Sequence, residues 1–207
     1  METLDSYLER LASHEPLPGG GSAATIVAAL GAALVAMVAR IGVRNPKYAE
    51  SHALAGEIVR RADELSASLA QARGRDEAAF AEVVAAQNRS RRDPAEIQER
   101  RVALEAALAQ AAEEPLAAAA LSLDVLRLTV QLLQIPAPGL ASDVGCAAEF
   151  ARAAIAGSAY NVRVNHRFMH DGQRVAAQAE RLSAIESAAE SAHDAVHAAV
   201  ATRLERG

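Results

Sequence analysis

Little in this chain could build a disulfide, a cysteine-rich metal centre or an aromatic core. Its 207 residues include one cysteine, Cys146, no tryptophan, three tyrosines and three phenylalanines. A lone cysteine excludes an intrachain disulfide and a cysteine-rich zinc site. In its Ala-rich surroundings it reads as a small buried side chain. No basic stripe is interleaved with aromatics, and the net charge is only −5, so nucleic acid is not an expected partner. His193 and His197 have i, i+4 spacing but no third ligand nearby in sequence, so no metal is expected. The first residues, Met1 to Leu8, carry acids and no basic n-region, unlike a secretory signal. Residues 23–39 lack charge, but the run is Ala- and Gly-rich and falls short of the ~20 apolar residues of a membrane span. A cytoplasmic location without a membrane partner is the expectation.

What is present is mostly Ala, Leu and Val. Alanine loses no side-chain entropy in a helix, and small side chains let helix axes approach closely. No segment shows the alternation of a half-buried strand. Leu4, Leu8 and Leu11 predict a short first helix, ending near His14. Ser22 is placed to cap an apolar helix that runs to about Val43. Asn45-Pro46 breaks the chain before a long helical pattern from Tyr48 to about Asn88, with Gly74 as a possible interruption. Asp93-Pro94 is a helix start with proline at the first helical position. Pro115 kinks or restarts that helix, which ends near Leu133. A loop at 135–139 precedes a helix capped by Ser142 that reaches about His170, and a last helix covers Val175 to about Leu204. The expected fold is all-α, a bundle of about six helices in a single domain over 1–207, with a central apolar helix. A helix that is apolar all round must be covered on every side, so a homodimer is expected.

Four motifs could carry chemistry. The three glycines of Pro18-Gly19-Gly20-Gly21-Ser22 permit backbone angles closed to other residues and let a ligand approach the main chain. The helix that follows directs unpaired N–H groups and a positive dipole end outward, which suits an anion or a carbonyl-rich ligand. A tight turn before a buried helix explains the same residues. Asp76 and Phe80 share a helix face and could hold a cationic heterocycle, or be a surface acid above a core Phe. Ser142-Asp143 opens a helix, which capping alone accounts for, although an acid there is well placed for proton transfer. Asn161 and Asn165 lie one turn apart on one face. Asn is a poor helix former, so the pair suits either an inter-helix hydrogen bond or a pterin or amide edge. Arg89, Arg91 and Arg92, beside Asp93-Pro94, read as a solvated connection.

Taken together these segments resemble the cyclodeaminase/cyclohydrolase family of folate enzymes. The resemblance covers nearly the whole chain, in order. It rests on Pro18-Gly19-Gly20-Gly21-Ser22-Ala23-Ala24 with the helix after it, on Asp76-Glu77-Ala78-Ala79-Phe80, and on Ala111-Ala112-Glu113-Glu114-Pro115-Leu116. Ser142-Asp143-Val144-Gly145 and Asn161-Val162-Arg163-Val164-Asn165 complete it. Membership implies an all-helical dimer that binds a tetrahydrofolate derivative as substrate, with no metal or separate cofactor. Two segments depart from the family pattern. Residues 87–92 read Gln-Asn-Arg-Ser-Arg-Arg in place of a Lys-Leu-Pro-Lys-like stretch, and Pro136-Ala137 stands where the family tends to have Gly-Asn.

The resulting expectation is an enzyme acting on the N5/N10 bridge, as methenyltetrahydrofolate cyclohydrolase or formiminotetrahydrofolate cyclodeaminase. Asp143 is assigned proton transfer, and Asp76 is placed near the cationic bridge. Gly19, Gly20, Gly21 and Ser22 are assigned ligand contacts through backbone N–H groups, with Ser142 beside Asp143. Asn161 and Asn165 orient the pterin or amide parts, and Arg163 meets the glutamate tail. Cyclohydrolase is slightly favoured, since no formiminotransferase domain is seen. The alternative, supported by the two departures, is a non-catalytic helical dimer of the same fold, a folate binder or partner subunit.

Overall fold

The computed structural model describes residues 2–205. Among them there are six α-helices, two short 3-10 turns and no strand. The helices are α1 (Leu4–Leu11), α2 (Gly20–Arg44), α3 (His52–Gln87), α4 (Pro94–Leu132), α5 (Ala141–His166) and α6 (Gly172–Glu205). Helix α2 packs against α3, α4 and α5, while α6 lies along the outer side of α4 and α5. Small residues set this geometry. A Cβ on Gly31 would stand 3.1 Å from the Ala147 carbonyl, and one on Gly157 would stand 3.4 Å from the Cβ of Ala24. These contacts (24 with 157, 31 with 147) make α2 and α5 antiparallel. The core is correspondingly fine-grained: Ala28, Ala32, Val35 and Ala39 of α2 meet Ile58 and Leu69 of α3, Val125 and Leu126 of α4, and Ala147 and Ala151 of α5.

Several helix ends differ from the sequence reading. Ser22 is not the cap of α2. Gly19 is, and Ser22 is the third helical residue, fully buried. Ser142 does not cap α5 either, because the helix begins at Ala141 with Leu140 at the cap position, and Ser142 is exposed. Asp93 caps α4 as expected, accepting the Glu96 N–H at 2.9 Å, with Pro94 at the first position. Gly74 does not interrupt α3, and Pro115 sits inside an unbroken α4. Helix α5 stops at His166, four residues before the expected His170. Cys146, read as buried, is exposed.

Two helices, Gly20–Arg44 and Pro94–Leu132, are long and apolar enough to cross a membrane. Helix α4 lines the core over most of its apolar part. Helix α2 does not bury all of its surface: on its fourth side Leu30, Met37 and Ile41 are 50%, 37% and 42% exposed. These residues recur at helical spacing and form one open apolar stripe.

Candidate functional site

The chain enters α2 through Pro16-Leu17-Pro18, with a cis peptide at Leu17–Pro18, and the first turn of α2 faces the last third of α3 and the last third of α5. Between them lies a cavity of about 210 Å3, lined by Pro16, Leu17, Gly19, Gly20, Gly21, Asp76, Phe80, Ala111, Asn161 and Asn165. Ligand pockets commonly span ~300–1,000 Å3. The space therefore encloses one part of a larger ligand and leaves the rest outside.

The glycines are explained by space and not by backbone angles, since no glycine among the described residues has a positive φ. Both carboxylate oxygens of Asp76 occupy the volume that a Cβ on Gly21 would need. A Cβ on Gly20 would meet the Asn161 amide at 3.4 Å. Glycine is thus required at 21 because α3 presses an acid onto the first turn of α2.

Burial, helped by the nearby charges of Glu77 and Glu114, raises the Asp76 carboxyl to about 6, and the neighbouring Ser22 backbone N–H offsets this only in part. A carboxylate in that range can hold or release a proton near neutral pH. The sequence of the α2 N-terminus predicts a cradle for an anion or a carbonyl-rich ligand. The Asp76 carboxylate lies against its first turn, so the cavity presents negative charge and suits a ligand cation.

Asn161 and Asn165 both line the cavity. Asn161 Nδ2 donates to the Gly157 carbonyl at 2.9 Å, and Asn165 Nδ2 donates to the carbonyls of Ala111 at 2.9 Å and Asn161 at 2.8 Å. With their NH2 groups directed at the backbone, the side-chain oxygens are the acceptors offered to a ring N–H or NH2. Asn165 thus serves both alternatives left open by the sequence, an inter-helix bond to α4 and a cavity wall.

Four assigned residues stand elsewhere. Arg163 pairs with Glu186 of α6 at 2.7 Å and is exposed on a different face of α5 from the two asparagines. Two residues apart on a helix is a rotation of about 200°, so Arg163 turns away from the cavity. Ser22 is buried behind the glycine turn, its hydroxyl bonded to Tyr7 and Glu77. Ser142 and Asp143 lie at the first turn of α5, eighteen positions before Asn161, which at 1.5 Å per residue is about 27 Å away. Within one chain they do not join the site. Leu17, Ala111 and Glu77 escaped sequence reasoning as site residues. The proline run before the glycines was a signal for Leu17, whereas nothing local marks an alanine carbonyl as a cavity wall. Among the described residues no three His, Cys, Asp or Glu side chains gather as metal ligands.

The chain is 32% identical over 170 residues to a methenyltetrahydrofolate cyclohydrolase of Methylorubrum extorquens, covering 82% of each chain. It is 28% identical over 169 residues to the formimidoyltransferase-cyclodeaminase of Rattus norvegicus, where the match takes 82% of this chain but 31% of the rat protein. A crystal structure of formiminotetrahydrofolate cyclodeaminase from Thermotoga maritima superposes with a TM-score of 0.89 over 98% of both chains, at 24% identity, and shows the shared fold. The family model described as formiminotransferase-cyclodeaminase matches residues 3–184, and the chain belongs to that family.

Proposed function

We propose that this chain, as one domain over 1–207, is a folate one-carbon enzyme acting on the N5/N10 bridge of a tetrahydrofolate derivative. The observation that carries the reading is the placement of Asp76: a carboxyl raised to about 6, at the glycine corner, in a cavity shared with two Asn side chains. A methenyl bridge is a cation flanked by two nitrogens, and a carboxylate in a partly dry pocket stabilises it. In the cyclohydrolase reaction water adds to the bridge carbon while a base takes its proton. The C–N bond on one side then breaks, its electron pair and a proton pass to that nitrogen, and a formyl group remains on the other. Asp76 is the group within reach to take the first proton. Asn161 and Asn165 hold the heterocycle through their amide oxygens, and Phe80 covers it. Cyclohydrolase is favoured over cyclodeaminase because the relative of that name is similar across 82% of its own length.

The active form in this reading is a homodimer in the cytoplasm. The apolar stripe of α2 pairs with its own copy across a two-fold axis, α2 against α2 in opposite directions. The C-terminal half of α2 runs toward the start of α5. In this reading the proton-transfer role of Asp143 belongs to a site shared between the two subunits, since within one chain it lies far from the glycine corner.

The test follows methenyltetrahydrofolate absorbance with purified protein. Turnover above the buffer rate, lost in Asp76→Asn and in Asp143→Asn, supports the enzyme. Mixing the two inactive variants is expected to restore about a quarter of the activity, since half the dimers are hybrids with one intact site each. No recovery sinks the shared site. Binding by thermal shift without turnover would instead favour the non-catalytic folate binder, to which the departures at 87–92 and 136–137 point.

A further inference from the structure

Ser22 is fully buried, and its hydroxyl is held from two sides. It donates to Glu77 Oε1 at 2.8 Å, and Tyr7 Oη lies 3.0 Å from it. A carboxylate can only accept, so the serine proton points to Glu77 and the Tyr7 hydroxyl donates to Ser22 Oγ. The result is a directed chain, Tyr7 to Ser22 to Glu77, in which each bond polarises the next. Asp76, adjacent to Glu77 on α3, lies against the same turn of α2, its carboxylate in the space beside Gly21.

The chain continues outward through charges. Arg10 reaches Glu77 at 3.2 Å and Glu2 at 2.7 Å, Arg73 reaches Glu2 at 3.1 Å, and the Arg73 guanidinium lies 5.4 Å from the centre of the Tyr7 ring. Tyr7 is the one buried residue of α1, at 3% exposure, while Leu4 and Leu8 are at least half exposed. A helix of eight residues has little stability of its own. What ties α1 to the bundle is this polar network at the back of the glycine corner.

We propose that Tyr7 and Glu77 are positioning residues for Asp76: acting through Ser22, they hold the first turn of α2 against its carboxylate, and α1 is the clasp that keeps them in place. The proposal rests on the reading of Asp76 as the reacting carboxylate. Neither residue lines the cavity, so neither is catalytic in the sense of touching the ligand. The charged groups around Asp76 are Glu77, Arg73 and Arg75 of α3, Arg10 of α1 with Glu2 just before that helix, and Glu114 of α4, which pairs with Arg75 at 3.0 Å. Helix α5 presents only the uncharged Asn161 and Asn165 to the cavity. Glu77 and Glu114 are the two whose charge favours the protonated form of Asp76.

The test is a carbon-13 carboxyl NMR titration of the ligand-free protein, with the Asp76 resonance identified by its loss in Asp76→Asn. Glu77→Gln keeps an acceptor for Ser22 but removes the charge, and is expected to lower the Asp76 midpoint by about half a pH unit or more. Tyr7→Phe keeps the charge and removes only the hydroxyl, and is expected to increase hydrogen exchange at the Ser22 amide about tenfold while the midpoint moves less than in Glu77→Gln. The acid limb of kcat against pH should follow the NMR midpoint in Glu77→Gln, with KM changed less than kcat. An unchanged midpoint in Glu77→Gln together with unchanged Ser22 exchange in Tyr7→Phe overturns the proposal. Ser22→Ala, which cuts both links, replaces Glu77→Gln if that variant does not fold, and an unchanged Asp76 titration and first-turn exchange there overturns the proposal equally. If the titrations behave as stated but wild type does not turn over methenyltetrahydrofolate, the catalytic reading fails and the positioning network stands.

Discussion

Asn165 donates its amide N–H to the carbonyl of Ala111, the carbonyl that Pro115 leaves without a helical donor. In an α-helix the Ala111 oxygen would accept from the N–H of residue 115, and proline has none. The Asn165 bond of 2.9 Å comes from α5 and fills the vacancy. One contact therefore lets α4 run unbroken through its proline, joins α4 to α5, and fixes a wall of the cavity.

Removing that contact leaves a largely buried carbonyl unpaired. Asn165→Ala is expected to destabilise the protein by about 1–3 kcal/mol, read from urea unfolding at constant m value. In the Pro115→Ala background the same change should cost less, because residue 115 now supplies the N–H. A double-mutant cycle with no coupling between 115 and 165 would remove this account of the proline.

Gly21→Ala places a methyl group on the carboxylate of Asp76 and forces α2 and α3 apart or Asp76 out of its rotamer. The expected cost is about 1–3 kcal/mol of stability, with loss of ligand binding. Gly20→Ala, whose Cβ would find the Asn161 amide at 3.4 Å, should cost well under that. Thermal unfolding of the two variants side by side checks the order.

The Asp76 carboxyl is raised in the folded state, to about 6 from an ordinary value of 3.8. The folded protein therefore binds this proton more tightly than the unfolded chain. Its contribution to stability is full below pH 3.8, declines as pH rises through 6, and becomes a cost above that. Asp76→Asn removes the cost while keeping an acceptor for Ser22. At pH 8 the variant should be more stable than wild type by about 1–2 kcal/mol, a figure reduced for the partial exposure of the group. The gain should vanish near pH 4. Denaturant titrations across that range decide it, and a variant less stable at pH 8 would contradict the raised pKa.

Turnover should show an acid limb with a midpoint near 6, as Asp76 must be ionised to take a proton from water. A kcat/KM profile flat from pH 5 to 8 would assign the base to another group.

The open stripe of α2 gives a test of assembly. Leu30→Glu or Met37→Glu puts a charge on the proposed two-fold contact and should yield monomers at concentrations where the wild type is dimeric. Sedimentation velocity over a hundredfold concentration range separates the two. A wild type that is monomeric throughout would sink the dimer, and one soluble only in detergent would point to a membrane instead.

Helix number and order could be read from apolar spacing and from Asn45-Pro46 and Asp93-Pro94, since these features act within a few residues of chain. Helix ends were less legible. Ser22 and Ser142 looked like caps because a hydroxyl before an apolar run can satisfy an orphan N–H. At Ser22 tertiary packing supplied a stronger partner in Glu77, and the helix begins three residues earlier than a Ser22 cap implies, at Gly20. Gly74 and Pro115 looked like breaks because propensity is local; Asn165 answers the carbonyl that Pro115 leaves free, and the exposed Gly74 is carried by the long helix on either side of it.

The candidate site was legible as a set of motifs but not as a geometry. The sequence alone determined an all-helical chain with a glycine corner, an acid-aromatic pair on α3 and two asparagines in register on α5, because each depends on spacing along one helix. Only the tertiary structure decided that Asp76 presses on Gly21, that Asn165 answers Pro115 and that Arg163 turns to Glu186. Those facts depend on which helix faces touch, and the contact that decides each one lies on a neighbouring helix, dozens of residues away in the chain.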